Sequence, residues 1–123
     1  EICACLVGSE MCIRDSYKID EYTKAVLSDK PHFHVSFIMN VSPECDCWNH
    51  NDAAIIPDLG IAASFDPVAL DKACVDLVYA SPDPGRVHLI ERMESRHGIH
   101  IVEHAEALGM GSQRYDLVSL DDK

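Results

Sequence analysis

Hydrophobic and polar positions alternate most cleanly between residues 33 and 41. Phe33, Val35, Phe37, Met39 and Val41 are interleaved with His34, Ser36, Ile38 and Asn40. A period of two over nine residues predicts a β-strand, and Ile38 on the second face predicts that this face is also partly covered. Upstream, Ile19, Tyr22 and Val26 share one helical face over 17–28, and Asp29-Lys30-Pro31 breaks that helix. Downstream, Ile55-Ile56 and Leu59 to Ala63 are short apolar runs around Pro57 and Asp58. The first run is confined by its proline to a strand end or edge. The second, apolar on both faces, predicts a buried strand.

Helices follow. Asp66-Pro67 is a start signal: the carboxylate accepts free N–H groups of the first turn, and proline suits the first helical position. Leu70, Ala73, Cys74, Leu77 and Val78 form the expected inner stripe, with Asp71, Lys72 and Asp76 toward water. The breaker Pro82-Asp83-Pro84-Gly85 ends this helix near Ser81. A second helix is expected over 86–97 and a third over about 100–108, capped by Gly109. Tyr115–Leu120 reads as a last strand. The fold class expected is α/β: a partial mixed sheet of about three strands with three to four helices, the C-terminal fragment of a larger domain.

Composition removes some partners. The formal charge is −11, from 21 acidic and 10 basic residues, and no basic run exists. Nucleic acid and anionic membrane both need clustered Lys and Arg. No apolar stretch is long enough to span a bilayer, and the N-terminus lacks a signal-peptide pattern. The six cysteines are not spaced as in a secreted scaffold, and a cytoplasmic location is expected.

Three of those cysteines, Cys3, Cys5 and Cys12, fall in an unusual opening. Residues 5–16 resemble the translation of a sequencing adapter carrying a transposase end, and Leu6 through Asp15 match its codons without a mismatch. Residues 1–16 are therefore expected to be adapter-derived. The natural part is taken as 17–123, with its own N-terminal portion missing.

The loop at 44–52 concentrates chemistry: Cys45, Asp46, Cys47, His50 and Asp52 lie within eight residues. Thiolate and imidazole suit zinc, iron or iron–sulfur centres. Three readings of Cys45 and Cys47 stand side by side: thiols that anchor a long loop with Trp48, contacts to a metal or cluster together with His50, or a redox dithiol. Asp58 stands between a proline and an apolar strand, and a buried carboxylate needs a partner. It is the candidate acid or base if the chain is an enzyme. Asp66 reads first as a helix cap, Asp71 as exposed and Cys74 as an inert core thiol. His100 and His104, one helical turn apart, could grip one ion, though a solvated face is the simpler reading. No dinucleotide, phosphate-loop or nucleophile-elbow motif is present, nor a ferredoxin run of cysteines.

Asn40-Val-Ser-Pro-Glu-Cys-Asp-Cys47, Ile56-Pro-Asp-Leu-Gly-Ile-Ala-Ala-Ser64 and Asp66-Pro-Val-Ala-Leu-Asp71 resemble the bacterial and archaeal family called domain of unknown function 362. Glu103 to Ser112 and Tyr115 to Val118 resemble its closing helix and strand. The resemblance implies a redox or iron–sulfur-associated protein with no settled reaction. Its members commonly carry a ferredoxin-like insert with two 4Fe–4S clusters, which would lie upstream of Tyr17 and is missing here. The expected partner is therefore the missing N-terminal part of the same protein. By position, Cys45, Asp46, Cys47, Asp58, Asp66 and Asp71 are the motif residues. A metal-dependent enzyme on a small acidic or carbonyl substrate and a non-catalytic scaffold are the alternatives.

Overall fold

The computed structural model describes residues 9–43 and 52–121. Its elements are α1 (Ser9–Leu27), β1 (His34–Ile38), β2 (Gly60–Ser64), α2 (Pro67–Ala80), α3 (Arg86–Ser95) and α4 (His100–Ala107). The α/β class and the four helices agree with the sequence expectation. Among the described residues the sheet has two strands, paired antiparallel, rather than about three in a mixed arrangement.

The register explains which face is inside. Val35 lies opposite Ala63 and Phe37 opposite Ile61, while His34, Ser36 and Ile38 face Ser64, Ala62 and Gly60. Helix α2 packs on both strands and covers the second set, so Ile38 is buried. The apolar set points away from it. Phe33, Phe37 and Phe65 are 56%, 65% and 75% exposed, and the Phe33 and Phe65 rings meet edge-on at 4.9 Å. The expectation that β2 is buried on both faces is thus corrected: Ile61 and Ala63 are exposed. Among the described residues no second layer lies over this side of the sheet.

The expected strand at Tyr115–Leu120 is also corrected. It has no regular structure, and Leu117, Val118 and Leu120 are exposed. A strand needs a ladder partner for its backbone groups, and neither β1 nor β2 pairs with it.

Helix α2 is the hub, in contact with both strands, α3 and α4. Its expected stripe is largely correct: Leu70, Ala73 and Val78 are buried, and Cys74 and Leu77 are half-buried. Val68 and Ala69 are buried as well, and Val68 packs with Val102 and Ala105 of α4. The core accordingly splits in two. Ile38, Ile56, Val78 and Leu89 form one cluster, and Val68, Val102 and Ala105 the other. Helix α2 ends as Arg86 donates to the carbonyl oxygens of Tyr79 and Ser81, a cation on the negative end of the helix. Gly109, at φ 74°, turns the chain after α4 with its N–H donating to the Glu106 carbonyl. That left-handed conformation favours glycine.

Helix α1 docks against α4 in an unexpected orientation. Its apolar stripe, Ile19, Tyr22 and Val26, faces outward. The docking stripe is Tyr17, Asp20 and Lys24, which share the opposite face at helical spacing. Tyr17 stacks edge-on against His104 at 4.5 Å. Asp20, only 4% exposed, lies 3.1 Å from His104 Nδ1. Lys24 Nζ donates to the Leu108 carbonyl at 2.7 Å, where α4 ends and a cation is favoured. Among the described residues no helix is long and apolar enough to cross a membrane.

Candidate functional site

The sequence places most of its chemistry between β1 and β2, and the structure shows how the base of that loop is closed. As the chain leaves β1, Asn40 adopts φ 52°, a left-handed conformation that asparagine tolerates better than most residues. Asp58 stabilises this turn: its Oδ1 accepts the Asn40 N–H at 2.8 Å. Ile55 N then donates to the Val41 carbonyl at 3.0 Å, and Leu59 N to the Ile38 carbonyl at 2.9 Å. These three bonds bring the two ends of the loop together. Asp58, the sequence candidate for acid or base, is the buckle at that base.

Cys45, Asp46, Cys47 and His50 lie outside the described residues. Their described neighbours do outline a surface. Pro43 and Ile55, on either side of the loop, line a cleft of about 540 Å³ together with His88, Glu91, Arg92 and Ser95 of α3. The four α3 residues sit at i, i+3, i+4 and i+7, so they form one face. An imidazole, a carboxylate and a guanidinium thus line the ground next to the base of the two-thiol loop. Sequence reasoning missed them. The signal was present, because Leu89 and Met93 form the inward stripe of α3 and leave these positions facing out.

A second polar strip runs from the covered face of the sheet to α1. His34 Nε2 and His32 Nδ1 are 2.9 Å apart. Burial raises the Asp71 carboxyl above its usual value, His34 opposes that rise, and the charge of Asp20 adds to it. Burial likewise raises Asp20, with His104 pulling the other way. Asp71, expected on the solvent side of α2, does remain exposed in area. It opens into a concave surface, and the atoms crowding its carboxyl strip away part of its hydration. His100 and His104 do not converge. His100 Nδ1 pairs with Glu103 at 2.8 Å, and His104 pairs with Asp20. Among the described residues no group of three or more His, Cys, Asp or Glu is arranged to hold a metal ion. Cys74 sits against the first core cluster, and burial pushes its thiol up despite a hydrogen bond with Ser36. That environment favours the unreactive thiol.

The raised carboxyl of Asp71 sets a pH dependence. Its folded-state value lies above the unfolded one, so the folded form holds the proton more tightly. The associated stability is complete below the unfolded value, near pH 4, and is lost as pH rises through the raised value. Asp71→Asn keeps the shape and removes the charge. It is expected to be more stable than the parent at neutral pH, with the difference vanishing below about pH 4. Thermal melts at both pH values check this, and equal stability at neutral pH would contradict it.

Asp66 is fixed twice. Oδ1 accepts the Ala69 N–H at 2.9 Å, the cap expected from the sequence. Oδ2 accepts the Ser112 N–H at 2.8 Å. The second bond ties the start of α2 to the turn after α4, across 46 residues of sequence.

Compared with known families, residues 12–76 match the model described as Domain of unknown function (DUF362). That span is just over half of the chain. The chain belongs to the DUF362 family. The DUF362 match takes in the loop with Cys45, Asp46, Cys47 and His50, and also Asp58, Asp66 and Asp71, so every motif position named from the sequence falls inside it. It begins within α1, at residue 12, and ends within α2. Helices α3 and α4, which supply the outer walls of the clefts, lie beyond it. No curated protein and no solved structure matches the chain.

Proposed function

We propose that this DUF362 chain is one wall of a redox or iron–sulfur-associated protein, with its 44–52 loop turned toward the cluster-bearing part. The observation that carries the reading is the uncovered side of the sheet. Phe33, Phe37 and Phe65 alone leave roughly 400 Å² of ring surface open, taking about 200 Å² for a whole aromatic side chain. Val35, Met39 and Ile61 extend the same face. A contiguous apolar patch of several hundred Å² is often an interaction surface. The outward stripe of α1 is a second uncovered surface. The occupant proposed is the remainder of the same protein, upstream of Tyr17, including the part that carries 4Fe–4S clusters. Residues 1–16 are proposed to lie outside this natural sequence on the adapter match of Leu6 through Asp15.

In this reading Cys45 and Cys47 supply thiolates and His50 an imidazole, a soft donor set that fits zinc or iron. Two thiolates and one imidazole make an incomplete site for either ion, so binding by this chain alone is weak. Two measurements test the proposal. The 123-residue chain is expected to bind a hydrophobic dye, and Phe37→Ser with Phe65→Ser to lower that signal with little change in melting temperature. It is also expected to bind zinc weakly, with loss of binding in Cys45→Ser and Cys47→Ser. A 4Fe–4S absorbance from this chain alone, after anaerobic reconstitution with iron and sulfide, would place the cluster ligands inside it and overturn the reading. Zinc binding untouched by both cysteine substitutions would do the same for the loop.

A further inference from the structure

A separate cleft of about 480 Å³ lies between α2, α3 and α4. Its floor is a ridge of α2 in which Asp71, Val75 and Tyr79 follow one another at four-residue spacing. Two turns separate the first from the last, about 12 Å along the axis. Met93, Ile101 and Val102 supply apolar walls. The polar groups gather at the two ends. Asp71 stands at one. At the other, the Tyr79 hydroxyl donates to Glu94 Oε1 at 3.2 Å, which holds that carboxylate against the wall. His97, at the turn between α3 and α4, stands on the rim. Among the described residues no Lys or Arg lines the cleft. An apolar trough with a few placed polar groups is the usual form of a small-molecule site. A carboxylate at each end selects the charge of its ligand.

We propose that this cleft binds an elongated apolar molecule bearing an amino group, its chain along Val75 and Val102 and its ammonium against a carboxylate at the end of the trough. An extended eight-carbon amine is close to the length of the floor. The volume lies within the range of ligand sites, roughly 300–1,000 Å³. Among the described lining residues an anionic head would meet two carboxylates, with the His97 imidazole on the rim and His34 acting on Asp71 from the sheet. The raised carboxyl of Asp71 is consistent with this, since an ammonium would replace the hydration that crowding removes. The site uses none of the loop residues and does not depend on the iron–sulfur reading.

Octylamine, octanol and octanoate share a tail and differ in head charge, which makes them suitable probes. Titrations of the 123-residue chain at about pH 8, where an alkylamine carries its proton and a carboxylic acid does not, should rank amine over alcohol over carboxylate. One partly exposed charge-assisted hydrogen bond corresponds to about tenfold between amine and alcohol. Amide shifts in the nitrogen–proton spectrum should concentrate at Val75, Ile101 and Val102. The double variant Asp71→Asn, Glu94→Gln should bind amine and alcohol within about twofold of each other and keep its alcohol affinity. Asp116→Asn, on the exposed C-terminal segment, should leave the preference intact. If octanoate binds as well as octylamine, or if Asp116→Asn lowers the preference as far as the double variant, the cleft does not select the ligand. Shifts confined to the Phe33–Phe65 face would likewise place the binding elsewhere.

Discussion

Replacing Asp66 by alanine is expected to destabilise the chain by about 2–3 kcal/mol. Loss of a helix cap costs about 1 kcal/mol. Loss of a charged acceptor for a backbone N–H costs about 1.5–3 kcal/mol when buried, and less at this half-buried position. Against the 5–15 kcal/mol typical of a domain, that is a large share, and the melting temperature should fall by roughly 10 °C. Asp66→Asn retains a side-chain oxygen for the cap and should lose less than half as much. Gly111 provides a sharper test. A Cβ at Gly111 would overlap Oδ1 of Asp66, so Gly111→Ala should be destabilising in the parent. In an Asp66→Ala background the atom it strikes is gone, and the same substitution should be nearly neutral. A double-mutant cycle measures this coupling directly. Strict additivity would show that Asp66 and Gly111 are not in contact.

Gly85→Ala is expected to have an effect of similar size, about 3 kcal/mol, for a different reason. Gly85 has φ −60° and ψ −23°, a backbone that any residue adopts, so conformation does not demand glycine here. Space does. A Cβ at Gly85 would overlap the carbonyl oxygen of Ile55 and crowd its carbonyl carbon. Main-chain atoms cannot rotate aside as a side chain can, and forced overpacking typically costs 1–3 kcal/mol or more. The strain would fall on Ile55, whose N–H closes the loop on Val41, and on buried Ile56 beside it. Gly98→Ala is the control. Its added carbon would come within 3.3 Å of the Met93 carbonyl oxygen, a contact that a slight shift relieves, so the loss should stay below about 1 kcal/mol. Urea denaturation of the two variants compares them. Equal midpoints would mean that the approach of Gly85 to Ile55 is not tight.

Local signals in the sequence were strong for the helices. Asp66-Pro67 starts α2, Pro82 to Gly85 ends its region, and Gly109 closes α4 as expected, because each depends on a residue and its immediate neighbours. The inside and outside of the sheet were harder to read. Phe33, Val35 and Phe37 look like a core face by pattern. The side that α2 covers is instead the one with His34, Ser36 and Ile38. Periodicity reports that two faces differ, not which one a distant helix will cover. The same limit applies to α1, where Tyr17, Asp20 and Lys24 dock and Ile19, Tyr22 and Val26 do not. Tyr115–Leu120 has strand composition but no ladder partner, and partnership is non-local. For the candidate site, the loop and Asp58 were legible as unusual chemistry at a turn. The α3 face at His88, Glu91 and Arg92 was not, since its meaning depends on lying beside Pro43 and Ile55.

The hydrogen bond from Ile55 to Val41 has a bearing on how such a protein changes over generations. Once the two ends of a loop are pinned, closure entropy grows only with the logarithm of its length, about 0.6 kcal/mol for each doubling. Insertions and deletions between Val41 and Ile55 are therefore thermodynamically inexpensive, while Asp58, Gly85 and the two strands below keep the frame unchanged. The frame is a socket, and relatives that carry a longer or chemically different segment on it could alter their reactivity without refolding the domain beneath.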